Sequence, residues 1–371
     1  MELRLKRSDL LAELAPMQGV VERKTTIPVL SHILLEAREN RVDLKATDLD
    51  VSLTSYCDAD VKHEGGIAVQ ARKLMEIIRA LPDDNVLLMQ EDPKILSIHG
   101  GQSRFKLNGL APEDFPTLAE VGSDERIEIS FPEFRRMISK VIFAVSADES
   151  RFQLNGALLL AKEDSFEMVA TDGHRLALVE SSLGSTGAKA TSNGGGGVLV
   201  PRKALQELLR FEGDDTLVFC RGEHHLSFEI GRRTLICRIL EGTFPDHERA
   251  IAKDNDKQVV FDTKSLLSTV QRVALLTGDR ARAVRLQISS GLLVVSTVNP
   301  DVGEAVEELE CEYEGSDIRL GINPDYLCQF LAVVESEKVR LEVKDENSQC
   351  VGYPVDTTDK RYLCVIMPMR I

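Results

Sequence analysis

The 371-residue chain has no tryptophan, and aromatic residues make up only 5% of it. Its core must therefore be built mainly from aliphatic side chains. No run of about 18 apolar residues occurs, which excludes an ordinary membrane-spanning helix. The opening stretch MELRLKRSDLLAEL alternates and then turns amphipathic, unlike a secretory signal. The seven cysteines (57, 220, 237, 311, 328, 350 and 364) are scattered and form no CxxC pair. Neither a metal site nor a redox motif is expected, and the pattern fits a reducing cytoplasm. The net charge of −15 excludes bulk attraction to nucleic acid, but only if charge is evenly spread.

What the chain does have is internal repetition. The apolar strands in VDLKATDLDVSLTS, FEMVATDGHRLALVE and LLVVSTVNPDVGEAVEEL turn at Asp48, Asp172 and Asn299. The spacing is roughly 125 residues, longer than in solenoids. Arg72-Lys73 and Arg202-Lys203 open two matching helical stretches, with GINPDYLCQFLAVV in the third place. Phe115-Pro116 and Phe244-Pro245 recur in the same order. Three domains are expected, 1–124, 125–253 and 254–371, each large enough for its own core.

Each copy carries two amphipathic helical stretches. The first ones present Leu10, Leu11, Leu14 and Met17; Phe134, Met137, Ile138 and Val141; and Leu266, Leu267, Val270 and Val273. The second ones present Leu74, Ile77 and Ile78; Leu205, Leu208 and Leu209; and Leu327, Phe330 and Leu331. Alternating strands such as HHLSFEIGRRTLICRIL indicate antiparallel sheet with one wet face. The fold class expected is α+β, two helices on antiparallel sheet in each copy.

Cations gather on the opposite helix faces: Arg72, Lys73, Arg79, Arg135, Arg136, Lys140, Arg202, Lys203 and Arg210. Acidic residues crowd loops and strands. A basic lane on an acidic body attracts a duplex weakly, so retention by enclosure suits it better than tight gripping. The Asp172-His174-Arg175 cluster invites another reading, an acid–base or metal-dependent hydrolase. The repeats weigh against it, because the first copy has Asp50 in place of the histidine and the third keeps neither group.

The ordered repeats, with ATDGHRLA, VPRK, TFPD and the ending VIMPMRI, resemble the bacterial DNA polymerase sliding clamp, the beta subunit of the replicative polymerase. The resemblance covers the whole chain. It implies a non-catalytic, cofactor-free homodimer, joined head to tail into a six-domain ring around duplex DNA of any sequence. Two chains with six helices each would line it. At ~9 Å between packed helices the lining runs roughly 108 Å, about 34 Å across, wide enough for a hydrated duplex.

The resemblance also implies site residues. A pocket for short apolar motifs of the polymerase alpha subunit, the clamp loader, other polymerases and repair proteins would use Leu154, Thr171, Gly173, His174, Arg175 and Leu176. Pro245, Arg249, Asn323, Tyr326, Val365, Met367, Pro368, Met369 and Arg370 would complete it. DNA contacts would come from Arg23, Lys24, Arg72, Lys73, Arg136, Arg151, Phe152 and Arg202. Phe105 and Leu107 would meet Arg272, Leu275 and Leu276 across the dimer interface. The glycine run 194–197 reads as a flexible loop, with no phosphate-loop lysine after it.

Overall fold

The computed structural model describes residues 1–22, 26–122, 126–162, 164–182, 197–213, 215–278 and 282–370. Arg23, Lys24 and most of the 194–197 glycine run lie outside these residues. The chain packs as two units: residues 1–132 with 203–239, and residues 133–202 with 240–371.

Six α-helices are described: α1 Arg7–Val20, α2 Ala71–Ala80, α3 Phe131–Val141, α4 Arg202–Leu209, α5 Thr263–Ala274 and α6 Pro324–Leu331. Their buried faces match the apolar spacing. Leu10, Leu14 and Met17 of α1 are fully buried, as are Leu266 and Val270 of α5. Asp262 caps α5 by accepting the Ser265 amide, and Asn323 caps α6 by accepting the Asp325 amide.

The sheets do not stop where the repeats do. In the first unit one antiparallel sheet of 13 strands includes strands from two copies. Its joint is the pairing of Val51–Asp58 with Arg233–Arg238, with Ser52 opposite Ile236. In the second unit an eight-stranded sheet does the same. There Arg175–Ser182 pairs with Arg361–Ile366, with Leu176 opposite Val365. A separate four-stranded sheet holds Val284–Ser289, Leu292–Asn299, Gly303–Glu310 and Ile318–Ile322.

The two joints are built alike. Each uses the strand that follows the Asp48 or Asp172 turn, and each continues with one more backbone bond. Arg238 N–H donates to the Asp50 carbonyl at 3.0 Å, and Met367 N–H donates to the His174 carbonyl at 2.9 Å. Among the described residues the third such strand, Gly303–Glu310, pairs only with Leu292–Asn299. It ends its sheet as an open edge, with Val302 and Val306 exposed beside it. Ser103–Leu110, the first copy's counterpart of Arg233–Arg238, pairs along its length on one side with Ile95–Gly100. On its other side, among the described residues, only Gly109 and Leu110 are paired.

Candidate functional site

The Asp172 turn is held by its own side chains. Asp172 Oδ1 accepts the backbone N–H groups of His174 and Arg175 at 2.9 and 3.0 Å. Thr171 Oγ1 donates to the Arg175 carbonyl at 2.6 Å and accepts the Gly173 amide at 3.1 Å. Gly173 has φ 86°, where a Cβ is strained. The first copy repeats this chemistry without a histidine: Asp48 Oδ1 accepts the Asp50 and Val51 amides at 3.0 and 2.7 Å. The aspartate is therefore a turn former in both copies.

The second carboxylate oxygen of Asp172 takes Arg175 Nε at 3.1 Å. Arg175 is only 8% exposed, and its guanidinium is fully engaged. It donates to Gln329 Oε1 at 2.6 Å and to the Phe143 carbonyl. It also lies over the Tyr326 ring, 4.4 Å from its centroid, and beside Phe143 at 5.3 Å. This arginine thus fixes α6 against the turn, and burial with the nearby Asp172 charge raises the Tyr326 hydroxyl pKa. Burial pushes the Cys328 thiol on α6 to about 11, so it stays protonated.

The C-terminal segment does not fray. Beyond the Met367 bond to His174, Met369 N–H donates to the Gly321 carbonyl at 2.8 Å. Met367 is 41% exposed and Pro368 and Met369 are half-buried, so an adaptable apolar strip lies next to His174. Tyr326 and the Asn323 cap follow Gly321 at the start of α6.

Several expected pocket residues prove to be foundations. Leu154, Leu176 and Val365 are 5%, 4% and 2% exposed. Leu176 and Val365 belong to a cluster with Val169, Ile251 and Val351, against which Phe244, Ala250 and Ala252 of the connector pack. Pro245 and Arg249 stay exposed on that connector, Arg249 pairing with Asp246 at 2.9 Å. Spacing on the joint strands alone does not separate accessible side chains from those the connector covers. Gln329 was not foreseen either; its exposed helical position carries no sign of its bond to Arg175.

The structure reassigns other cations. Arg136 is not a free surface cation: it bonds Glu133, Glu335 at 3.1 Å and Asp359 at 2.6 Å. Lys140 is 2% exposed and held by Asp359 and Glu335 at 2.7 and 2.9 Å. Arg151 bonds Asp148 at 3.1 Å, and its guanidinium lies 3.0 Å from where a Gly173 Cβ would sit. Phe152 is 54% exposed, with its ring edge over Gly242. These two therefore sit at the Asp172 turn and the connector. Arg72 and Lys73 are exposed on α2 and share Glu76 at 2.8 Å each. The Arg202 side chain is half-buried at the start of α4.

Phe105 is 37% exposed and Leu107 half-buried on Ser103–Leu110. At the end of α5, Leu275 is 81% exposed, and Arg272 reaches across to Glu307 on Gly303–Glu310. That strand, GEAVEELE, is one of the acidic stretches of the sequence, and its outer edge runs beside the exposed Val302 and Val306.

Repeated α+β domains joined edge to edge, with a structural rather than catalytic Asp-His-Arg turn, define a clamp-type assembly protein. Family models of the N-terminal, central and C-terminal domains of the DNA polymerase III beta subunit match residues 1–119, 128–246 and 248–370. The chain is 37% identical to the beta sliding clamp of Pseudomonas aeruginosa and 30% identical to that of Escherichia coli, over the full length of each. The crystal structure of the Pseudomonas aeruginosa beta subunit superposes with TM-score 0.92 at 37% identity, each chain covered completely. A sliding clamp from Bartonella birtlesii bound to griselimycin superposes at 0.94 with 31% identity, again over both whole chains. The chain belongs to the DNA polymerase III beta subunit family, the bacterial sliding clamps. Such a clamp is a non-catalytic processivity factor, which disposes of the hydrolase alternative.

Proposed function

We propose that two copies of this chain close head to tail around duplex DNA, and that each copy docks short apolar peptides of replication and repair proteins. The observation that carries closure is the repeated joint. Ser52 and Leu176 stand opposite Thr47 and Thr171 in their hairpins, as Glu304 stands opposite Val298. The partner strands align through their hairpins, Ile230 opposite Arg233 and Gly100 opposite Ser103. Ile236, which faces Ser52, therefore corresponds to Lys106. Applying the joint rule to the two open edges sets Glu304 of one copy against Lys106 of the other. Arg104 then falls opposite Val306 and diagonal to Glu304 and Glu308. The basic edge meets the acidic one, which gives the pairing its register and favours the partner over self-association of like edges.

A head-to-tail contact whose rotation closes after two copies makes a ring without free edges. Each repeat (1–124, 125–253, 254–371) then serves as one of six domains. Arg72, Lys73 and Arg202 are the described cations retained as DNA contacts, with Lys24 and Arg23 from the sequence. Phe105, Leu107, Leu275, Leu276 and Arg272 flank the closing edges. The peptide cleft is read at His174, Gly173, Tyr326 and Met367 to Arg370. The adaptable methionines and a guanidinium locked over Tyr326 support apolar peptides with a polar anchor. The polymerase alpha subunit and the clamp loader are the partners expected, in the cytoplasm; among the described residues no helix is long and apolar enough to cross a membrane.

Cross-linking tests closure. Directly opposed residues of antiparallel strands have Cβ atoms about 4.5–5.5 Å apart, within reach of a disulfide after small adjustment. Lys106→Cys with Glu304→Cys should give covalent dimers on oxidation. Lys106→Cys with Ala305→Cys, whose side chains point to opposite faces, should not. Equal cross-linking by both pairs would contradict the register, and a monomer in sedimentation would contradict closure.

A further inference from the structure

We infer that Glu167, His247 and Glu248 form a binding site for a first-row divalent cation, with zinc the ion their donor set suits best. Glu167 lies on strand Ser165–Thr171, and His247 and Glu248 open the connector's short helix, His247–Ala250. One ligand atom from each residue lies within 4.8 Å of the others. His247 Nε2 and Glu167 Oε1 are 3.1 Å apart. One imidazole and two carboxylates is a donor set zinc uses readily.

The surrounding charges favour a cation. Lys162 bonds Glu167 Oε2 and Glu180 Oε2, each at 2.9 Å, and Arg361 pairs with Glu248. Three carboxylates thus face two permanent cations, an excess of one negative charge beside the imidazole. That charge is poorly hydrated: Glu167 is 2% exposed and the His247 side chain 13%. The oxygens are also divided. Lys162 takes Glu167 Oε2 and leaves Oε1 toward the imidazole, while Glu248 Oε2 makes only a long 3.3 Å contact to Arg361.

A metal ion would take the Nε2 lone pair of His247, with the one ring proton of the neutral form on Nδ1. Lys162 and Arg361 remain as outer partners of the carboxylates. The ion would tie the connector to the strand that leads into the Asp172 turn.

Cobalt(II) is the probe, titrated into the full-length protein and followed by visible absorption. One equivalent should give the intense bands of four- or five-coordinate cobalt, and zinc should displace it. His247→Ala and Glu167→Gln should each weaken uptake at least about a hundredfold, more than the loss of an outer partner does. Glu248→Gln, on the more exposed ligand, should weaken it too and keeps the test open if a buried variant fails to fold. Cys328→Ser should bind cobalt as the parent does. No low-coordinate spectrum at saturating cobalt would overturn the site and leave an ion-pair cluster only. Parental uptake by the folded ligand variants would overturn it as well.

Discussion

Asp359→Ala should be among the most damaging single substitutions in the second unit. The Asp359 side chain is 0% exposed and accepts from Lys140 at 2.7 Å, Arg136 at 2.6 Å and Thr357 at 2.7 Å. Lys140 is 2% exposed and sits 5.0 Å from the Tyr362 ring centroid. Removing the carboxylate leaves a buried ammonium with Glu335, whose side chain is 61% exposed. Breaking a buried pair from one side costs about 3–5 kcal/mol, and the remaining partner places this case near ~3. At about 2–4 °C per kcal/mol for a unit of this size, the calorimetric transition should fall by roughly 6–12 °C. Lys140→Met combined with Asp359→Leu removes both charges and should recover most of the loss. Acid should act in the same direction. Burial raises the Asp359 pKa, but its hydrogen bonds, Lys140 first, lower it further, so its folded pKa lies below its unfolded one. Its stabilisation is therefore present above the unfolded value and lost as pH falls through the folded one. A cost under about 1 kcal/mol, or a double variant no more stable than the single one, would refute the reasoning.

Three further outcomes are expected. Removing residues 367–371 should abolish binding of apolar clamp-type peptides by calorimetry while sedimentation still shows the dimer; unchanged affinity would contradict the cleft. Gly173→Val should cost about 1–2 kcal/mol of local stability, because φ 86° disfavours a branched side chain, and should weaken peptide binding with the turn's distortion. Val302→Asp with Val306→Asp should shift the dimer toward monomer in sedimentation equilibrium and spare peptide affinity, since both valines border only the open edge; a dimer of parental strength would count against that edge.

Local patterns were the legible part. Helix faces such as Leu10, Leu14 and Met17 follow from period alone, and the Asp172 turn follows from Asx chemistry. What sequence spacing could not supply was the partner of a surface-like residue. Arg136 and Lys140 have the spacing of a solvated helix face, yet Asp359, more than two hundred positions on, buries them. Leu176 and Val365 read as pocket walls because they flank His174 and Met367, but the connector's Phe244 and Ile251 cover that face. The three copies read as self-contained domains because periodicity is local, whereas strand pairing carries the two larger sheets across a copy boundary. The same pairing made Gly303–Glu310 visible as an unfinished joint.

The most direct measurement of the central claim is retention on DNA after loading by a clamp loader, at salt high enough to screen the exposed cations. Enclosure predicts that the protein stays on closed circular duplex and is lost when the same circle is cut to give free ends. Equal retention on circular and linear molecules, or equal loss from both, would contradict a ring that holds DNA by topology.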